Sequence, residues 1–371
     1  MAKIEPTLAT QASNPPGAQG QLRERLDPGV FRLPVERIRE GYYSDVYFNR
    51  TVDVLNADGR HPQVLMQVFQ KNHAVVGGMD EAIAILKLCA EDFSRLRVHA
   101  LYDGDPVAPW ETAMTIEGDY TAFARLETVY LGVLTRRTKI ATNVRRVVEA
   151  ANGKQIIFMP ARHDHHLVQT GDGYAAHISG AIGVSTDAQA SWWGGRAIGT
   201  VPHALIAAYG GDTVLAATKF AEHTDPSTNL VVLADFENDC VRTSLEVARA
   251  LGDRLWGVRL DTSETLVDLS IQKVMGDFDP RGVNGQLCWL TRRALDREGF
   301  EHVKIVASGG FNVEKIQRFE REGVPVDAYG VGSAFYMGSY DFTADVVMVE
   351  GRPCGKVGRR YRPNPRLEAV S

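Results

Sequence analysis

The stretch "LVVLADFENDCVRTSLEVARALGDRLWGVRLD" (230–261) decides the fold class. It opens on an almost unbroken apolar run, 230–236, that closes on Asp235 and Phe236. Then "TSLEVARAL" (243–251) carries its apolar residues at helical spacing, and a second apolar run, 255–261, ends in Arg259 and Asp261. Strands that are apolar on both faces are covered on both faces, and a helix between two of them makes their pairing parallel. Working outward, the same unit recurs. "HVKIVASGG" (302–310) and "VDAYGVGS" (326–333) read as strands, with "GQLCWLTRRALDREG" (285–299) and "VEKIQRFEREG" (313–323) as helical partners. Upstream, "QIIFMPAR" (155–162) and "RAIGT" (196–200) extend the series to six strands. Almost every strand ends in a residue able to do chemistry. Barrels gather their sites at that C-terminal rim, so an irregular α/β barrel over 151–339 is expected rather than an open sheet.

Ahead of the barrel the rhythm is mixed. "PQVLMQVFQ" (62–70) reads as a strand, "DEAIAILKLCAEDFSRL" (80–96) as a helix, and 121–151 as a helix or two in series. An N-terminal α+β domain is therefore expected over 26–150, completed by the C-terminal segment 340–371, with a flexible leader over 1–25.

Composition narrows the function. Of 371 residues, 44% are hydrophobic and 23% charged, with a net charge of −5 and a pI near 6.1. No basic excess suits a nucleic acid or a membrane surface, so no such partner is expected, and any positive charge that binds an anion must be local. Residues 1–21 lack an apolar core and no run reaches membrane length. The four cysteines, Cys89, Cys240, Cys288 and Cys354, form no C-x-x-C pair. A reducing cytoplasm without disulfides or structural zinc is the expectation.

The chemistry sits at the strand ends. Arg259 and Asp261 lie two apart and face one way, which suits a ribose phosphate: the carboxylate accepts from vicinal hydroxyls and the guanidinium neutralises phosphate. A plain ion pair at the rim is the alternative. Gly309 and Gly310, then Gly330 and Gly332, follow consecutive strands, where backbone N–H groups can close on a phosphate. Turn geometry alone also explains such glycines, and neither loop is G-x-x-x-x-G-K-[ST] or G-x-G-x-x-G. In "GTVPHALI" (199–206), His203 opens a helix after Pro202 and can act as nucleophile or acid/base, with Asp235 to orient it; a surface histidine is the alternative. "MPARHDHH" (159–166) holds three histidines but no convincing ligand set, so no protein-held metal is expected. Its Arg162 suits a carboxylate. Arg136, Arg137 and Thr138 of "LTRRTKIAT" (134–142) are able to bind anions.

Taken in order, "SDVYFNRT" (44–51), "LTRRTKIAT", "ARHDHHLVQTGDGYAAHISGAIGVST" (161–186), "GTVPHALI", "GVRLDTSE" (257–264), "KIVASGGFNVEKI" (304–316) and "DAYGVGSAF" (327–335) resemble the nicotinate phosphoribosyltransferase family, from about Tyr42 onward. Nicotinamide and quinolinate phosphoribosyltransferases are more distantly similar. The resemblance implies a quinolinate-phosphoribosyltransferase-like barrel and the making of nicotinate mononucleotide from nicotinate and phosphoribosyl pyrophosphate, in NAD salvage. It implies that ATP phosphorylates His203, that Asp235 holds it, and that Mg²⁺ accompanies the leaving pyrophosphate. Arg259 and Asp261 would grip phosphoribosyl pyrophosphate, the four glycines its 5′-phosphate, and Arg162 the nicotinate carboxylate. Tyr47 would stack on the pyridine ring of a partner chain in a homodimer. Ser185, where amide-using relatives carry Asp, would favour the acid. Met159 departs from the F-G-x-R pattern of related sequences, which leaves the ring's second face unassigned. The rivals are a quinolinate phosphoribosyltransferase, which has no use for a phosphorylated histidine, and an inactive pyridine-nucleotide-binding relative. An aldolase or isomerase would want a strand-end Lys or Glu base.

Overall fold

The computed structural model describes residues 23–371. Six parallel strands form the second half of the molecule, in the order Gly183–Val184, Gln155–Phe158, Ala328–Val331, Lys304–Ala307, Leu255–Leu260, Leu230–Leu233. The expected class, an α/β barrel of irregular form, is what is found. The sheet curls until its two edge strands are joined by the segment 198–201. There Ile198 N–H donates to Val184 O at 2.8 Å, and Val201 N–H donates to Val231 O at 2.8 Å. The run 196–200 is therefore a seam rather than a strand, because it shares its hydrogen bonds between two edges instead of laddering along one.

Alternation along the strands sorts side chains into two sets. Ile156, Phe158, Val258, Leu260, Ile305 and Ala307 join the large core between sheet and helices. Ile157, Val231, Val306 and Ala328 form a small cluster inside the barrel, with Met159, Ile198 and Trp256 against it. The next inward positions upward on these strands are Arg259, Ser308 and Gly330, so the sequence alternation carries chemistry to the barrel mouth. Helices leave the rim at polar caps: Asp239, Asn284 and Asn312 each accept from the backbone of the first turn that follows.

The first half is built on an antiparallel six-stranded sheet, ordered Arg352–Pro353, Thr343–Val349, Gln63–Phe69, Thr112–Asp119, Arg97–Ala100, Glu368–Ala369. Three of its six strands come from the C-terminal segment. The helix Met79–Cys89 packs on it almost wholly buried. Residues 121–151 form one 24-residue helix, Glu127–Ala150, entered through two 3₁₀ turns. It serves both cores: Tyr130 and Leu134 belong to the first, Ile140, Val144 and Val147 to the second. Of the leader expected over 1–25, residues 1–22 lie outside the described residues. Its end is fastened, since Arg23 pairs with Asp105 at 2.6 Å and Arg25 with Asp80 at 2.9 Å.

Candidate active site

Three inward-facing groups meet at the barrel mouth. Arg259 Nε donates to Ser308 Oγ at 2.7 Å, Arg259 Nη2 donates to Asp261 Oδ2 at 3.1 Å, and Ser308 Oγ donates to Asp261 Oδ1 at 2.7 Å. The side chains of Arg259 and Asp261 are 18% and 20% exposed, so each still presents hydrogen-bonding capacity to the cleft. Ser308 is the residue that sequence reading missed. Its signal was position, the first polar residue after the strand Lys304–Ala307.

Two glycines keep this mouth open, though Gly330 lies within the strand Ala328–Val331 rather than after it as expected, and only Gly332 follows. A methyl group on Gly330 would fall 2.7 Å from Met159 Sδ and 3.2 Å from Ser308 Cβ, and one on Gly332 would fall 2.8 Å from the His163 ring. Gly309 and Gly310 are consecutive left-handed residues, with φ of 83° and 65°. Among the described residues, the N–H groups of Gly309, Gly310, Phe311 and Asn312 donate to no backbone acceptor. A run of unspent N–H groups in such a turn is a concave anion site.

His203 is the first residue of the helix His203–Ala208, with Pro202 as its cap rather than inside the first turn. Its Nε2 lies 2.9 Å from Asp235 Oδ1, on the loop after the strand Leu230–Leu233. The Asp235 side chain is 9% exposed and the imidazole 44%, so the pair is anchored at one end and open at the other. The hydrogen bond to Asp235 raises the His203 pKa above its ordinary value, partly offset by burial; the charge of Asp261 adds to the rise and Arg259 opposes it. A carboxylate at Nε2 fixes the N–H there and leaves the Nδ1 lone pair free.

The other candidates divide. Arg162 stands exposed on the single turn Ala161–His163 and has no carboxylate partner among the described residues, which suits a guanidinium kept for a ligand. Ser185 turns its hydroxyl to Gln189 Oε1 at 3.2 Å. Tyr47 is 57% exposed near Tyr42, Tyr43 and Val46, also exposed, and its hydroxyl reaches Asp45 at 3.4 Å.

Arg137 and Thr138 are both buried, and Thr138 requires a correction. Arg137 is buried and divided between Glu81 at 3.0 Å and Asp172 at 2.8 Å, while the Thr138 hydroxyl is engaged by the backbone of Gly77. The Thr138 hydroxyl is spent on that backbone, while Arg137 keeps only its Nη2 outside these pairs. The long helix turns them toward the junction of the two halves, where a buried charge must be paired. Among the described residues, no three His, Cys, Asp or Glu side chains are grouped to hold a metal ion, and no helix is long and apolar enough to cross a membrane.

Comparison with known proteins gives the geometry a setting. Residues 45–138 match the family model described as quinolinate phosphoribosyl transferase, N-terminal domain. A nicotinate phosphoribosyltransferase of Mycobacterium tuberculosis is 30% identical over 283 residues, covering 72% of this chain and 57% of that protein. The chain spans about half the length of the curated relatives it matches. A crystal structure of nicotinate-nucleotide pyrophosphorylase from Pyrococcus furiosus is 32% identical, covers 91% of this chain and 85% of its own, and superposes with a TM-score of 0.77. Human nicotinic acid phosphoribosyltransferase, at 18% identity and a TM-score of 0.64 over 84% of this chain and 76% of its own, shares the fold.

Proposed function

Because the chain belongs to the family of nicotinate and quinolinate phosphoribosyltransferases, we propose that it joins nicotinate to phosphoribosyl pyrophosphate, giving nicotinate mononucleotide and pyrophosphate for NAD salvage, with ATP hydrolysed alongside. The observation that carries this reading is the barrel mouth itself: Arg259, Asp261 and Ser308 linked in one cluster beside unspent N–H groups.

In this reading the N–H groups of Gly309 to Asn312 receive the 5′-phosphate, with the Gly332 turn beside them. Asp261 accepts from the ribose hydroxyls, Ser308 holds that carboxylate in place, and the Arg259 guanidinium neutralises substrate phosphate. As the bond from C1′ to the pyrophosphate oxygen breaks, positive charge develops on the ribose ring, and fixed negative and polar groups stabilise it better than reorganising water does. The nicotinate ring nitrogen already carries a lone pair, so bond formation at C1′ needs no general base. Arg162 takes the carboxylate and sets the ring's approach. Mg²⁺ fits this donor set in the way it usually meets phosphates, through one or two carboxylates plus substrate oxygens. It would enter with the substrate, held mainly by pyrophosphate oxygens, and its chemistry would be to neutralise the leaving pyrophosphate.

His203 Nδ1 is the nitrogen left to take the γ-phosphoryl group. An N–P bond forms, the bond to ADP breaks, and water later releases phosphate. The exposed face bearing Tyr42, Tyr43, Val46 and Tyr47 is assigned to a second copy of the chain, with Tyr47 reaching the partner's pyridine ring.

Mass spectrometry of the products from nicotinate, phosphoribosyl pyrophosphate, Mg²⁺ and ATP tests the reading. Nicotinate mononucleotide should form, nicotinamide should compete poorly, and light scattering should give a dimer. Preferential use of quinolinate with release of CO₂, or equal use of nicotinamide, would overturn the substrate.

A further inference from the structure

We infer that Lys315 is a positioning residue for phosphoribosyl pyrophosphate: from behind the Gly309–Gly310 turn, it holds the turn's carbonyl away from the cleft. The inference rests on the reading just given and deepens it. Lys315 sits in the first turn of the helix Val313–Arg321, whose cap Asn312 accepts from the Lys315 N–H at 2.9 Å. From there the side chain folds back, and its Nζ donates to Gly309 O at 3.1 Å. The ammonium also lies 4.3 Å from the centroid of the Phe311 ring, and Phe311 is 3% exposed in the core between sheet and helices. Phe311 and the Gly309 carbonyl thus hold the ammonium at the back of the turn.

The physical need for such a group follows from the turn. Two consecutive left-handed glycines, at φ of 83° and 65°, rotate freely enough that a carbonyl could swing toward the cleft as easily as an N–H. A carbonyl oxygen facing a phosphate is repulsive. An ammonium bonded to that oxygen fixes the peptide plane and places a positive charge behind the open N–H groups of Gly310, Phe311 and Asn312. Glu264 supplies the counterweight. Its carboxylate lies against the turn, where a methyl on Gly310 would collide with it. The turn thus has a cation on the Gly309 carbonyl and an anion against Gly310, and in this inference an incoming phosphate takes the place of the exposed Glu264 carboxylate.

A sequence search for a strand-end lysine cannot find this residue, because it lies eight positions beyond Ala307, the last residue of its strand, and returns to the rim only through the cap geometry.

The test uses Lys315→Met and Lys315→Arg in the full chain, with titration calorimetry of phosphoribosyl pyrophosphate and steady-state kinetics for both substrates. Lys315→Met should raise Kd and KM for phosphoribosyl pyrophosphate by about 5- to 30-fold, the range of a charge-assisted hydrogen bond acting at one remove. The nicotinate KM and kcat should change little, and Lys315→Arg should recover most of the affinity. If both variants bind phosphoribosyl pyrophosphate as the parent does, or if kcat falls while KM stays fixed, the positioning role is wrong. If the parent itself fails to bind phosphoribosyl pyrophosphate, the functional reading falls first. Loss of folding in Lys315→Met leaves Glu264→Gln to decide. That change removes the anion against the turn and should tighten phosphoribosyl pyrophosphate, and unchanged or weaker binding would contradict the arrangement.

Discussion

The two arginines of "LTRRT" (134–138) and the one of "GVRLD" (257–261) all meet carboxylates, yet their surroundings assign them opposite work. At the junction between the halves, Arg137 bridges Glu81 and Asp172, and Arg136 binds Asp172 at 2.6 Å and Asp164 at 2.8 Å. Asp172 is 1% exposed, and every charge there is answered from within the chain. At the rim, Arg259 and Asp261 keep one side toward solvent, beside N–H groups that no backbone acceptor among the described residues satisfies. A buried ion pair contributes little net stability, because desolvation offsets the attraction, but removing one partner strands the other. A half-satisfied cluster in a cleft can accept an outside ligand. The difference lies in how far the partners are buried and in the open N–H groups alongside, which no residue-type pattern records.

Four changes would break or sharpen this contrast. Arg137→Met strands Glu81 and Asp172 in the interior and should cost about 3–5 kcal/mol of stability, read by denaturant unfolding, while kinetics per folded molecule stay within a few-fold. A loss below about 1 kcal/mol would mean that the junction is not sealed. Arg162→Ala should leave stability nearly unchanged and raise the nicotinate KM about 10- to 150-fold, the worth of a charge-assisted bidentate contact. An unchanged KM would put the carboxylate elsewhere.

The smallest effect is a shift along the pH axis. The bond to Asp235 raises the His203 pKa, so the imidazolium, which has no lone pair, persists to higher pH. ATP hydrolysis and phosphohistidine formation should therefore climb with pH about a midpoint above the ordinary histidine value of 6.5, and Asp235→Asn should move that midpoint down. A midpoint unmoved by the substitution would separate Asp235 from the titration. His203→Asn should abolish both signals while slow ATP-independent synthesis persists.

Much of the fold was legible because strand period and rim chemistry are local properties. The run 230–261 fixed the parallel unit, and the polar ends of its strands marked the rim before any contact was known. The meeting of His203 with Asp235 was readable from the order of the strands. What stayed hidden depended on partners distant in sequence. Nothing local shows that Arg137 will face Glu81, 56 residues earlier. Nor does it show that 196–200 will join two strand edges instead of lengthening one. Ser308 looked like turn material beside its glycines until Arg259 and Asp261 were seen to converge on it.

Titration of phosphoribosyl pyrophosphate into Arg259→Met and Arg137→Met, alongside the parent, tests the central claim most directly, since one substitution is made in both regions. Arg259→Met should bind at least about 10-fold more weakly, given a charged contact worth roughly 1.5–3 kcal/mol, and unfold near the parent midpoint. Arg137→Met should bind normally where folded and unfold far earlier. Normal binding by Arg259→Met, or weakened binding with intact stability in Arg137→Met, would place the substrate at the junction and contradict the account.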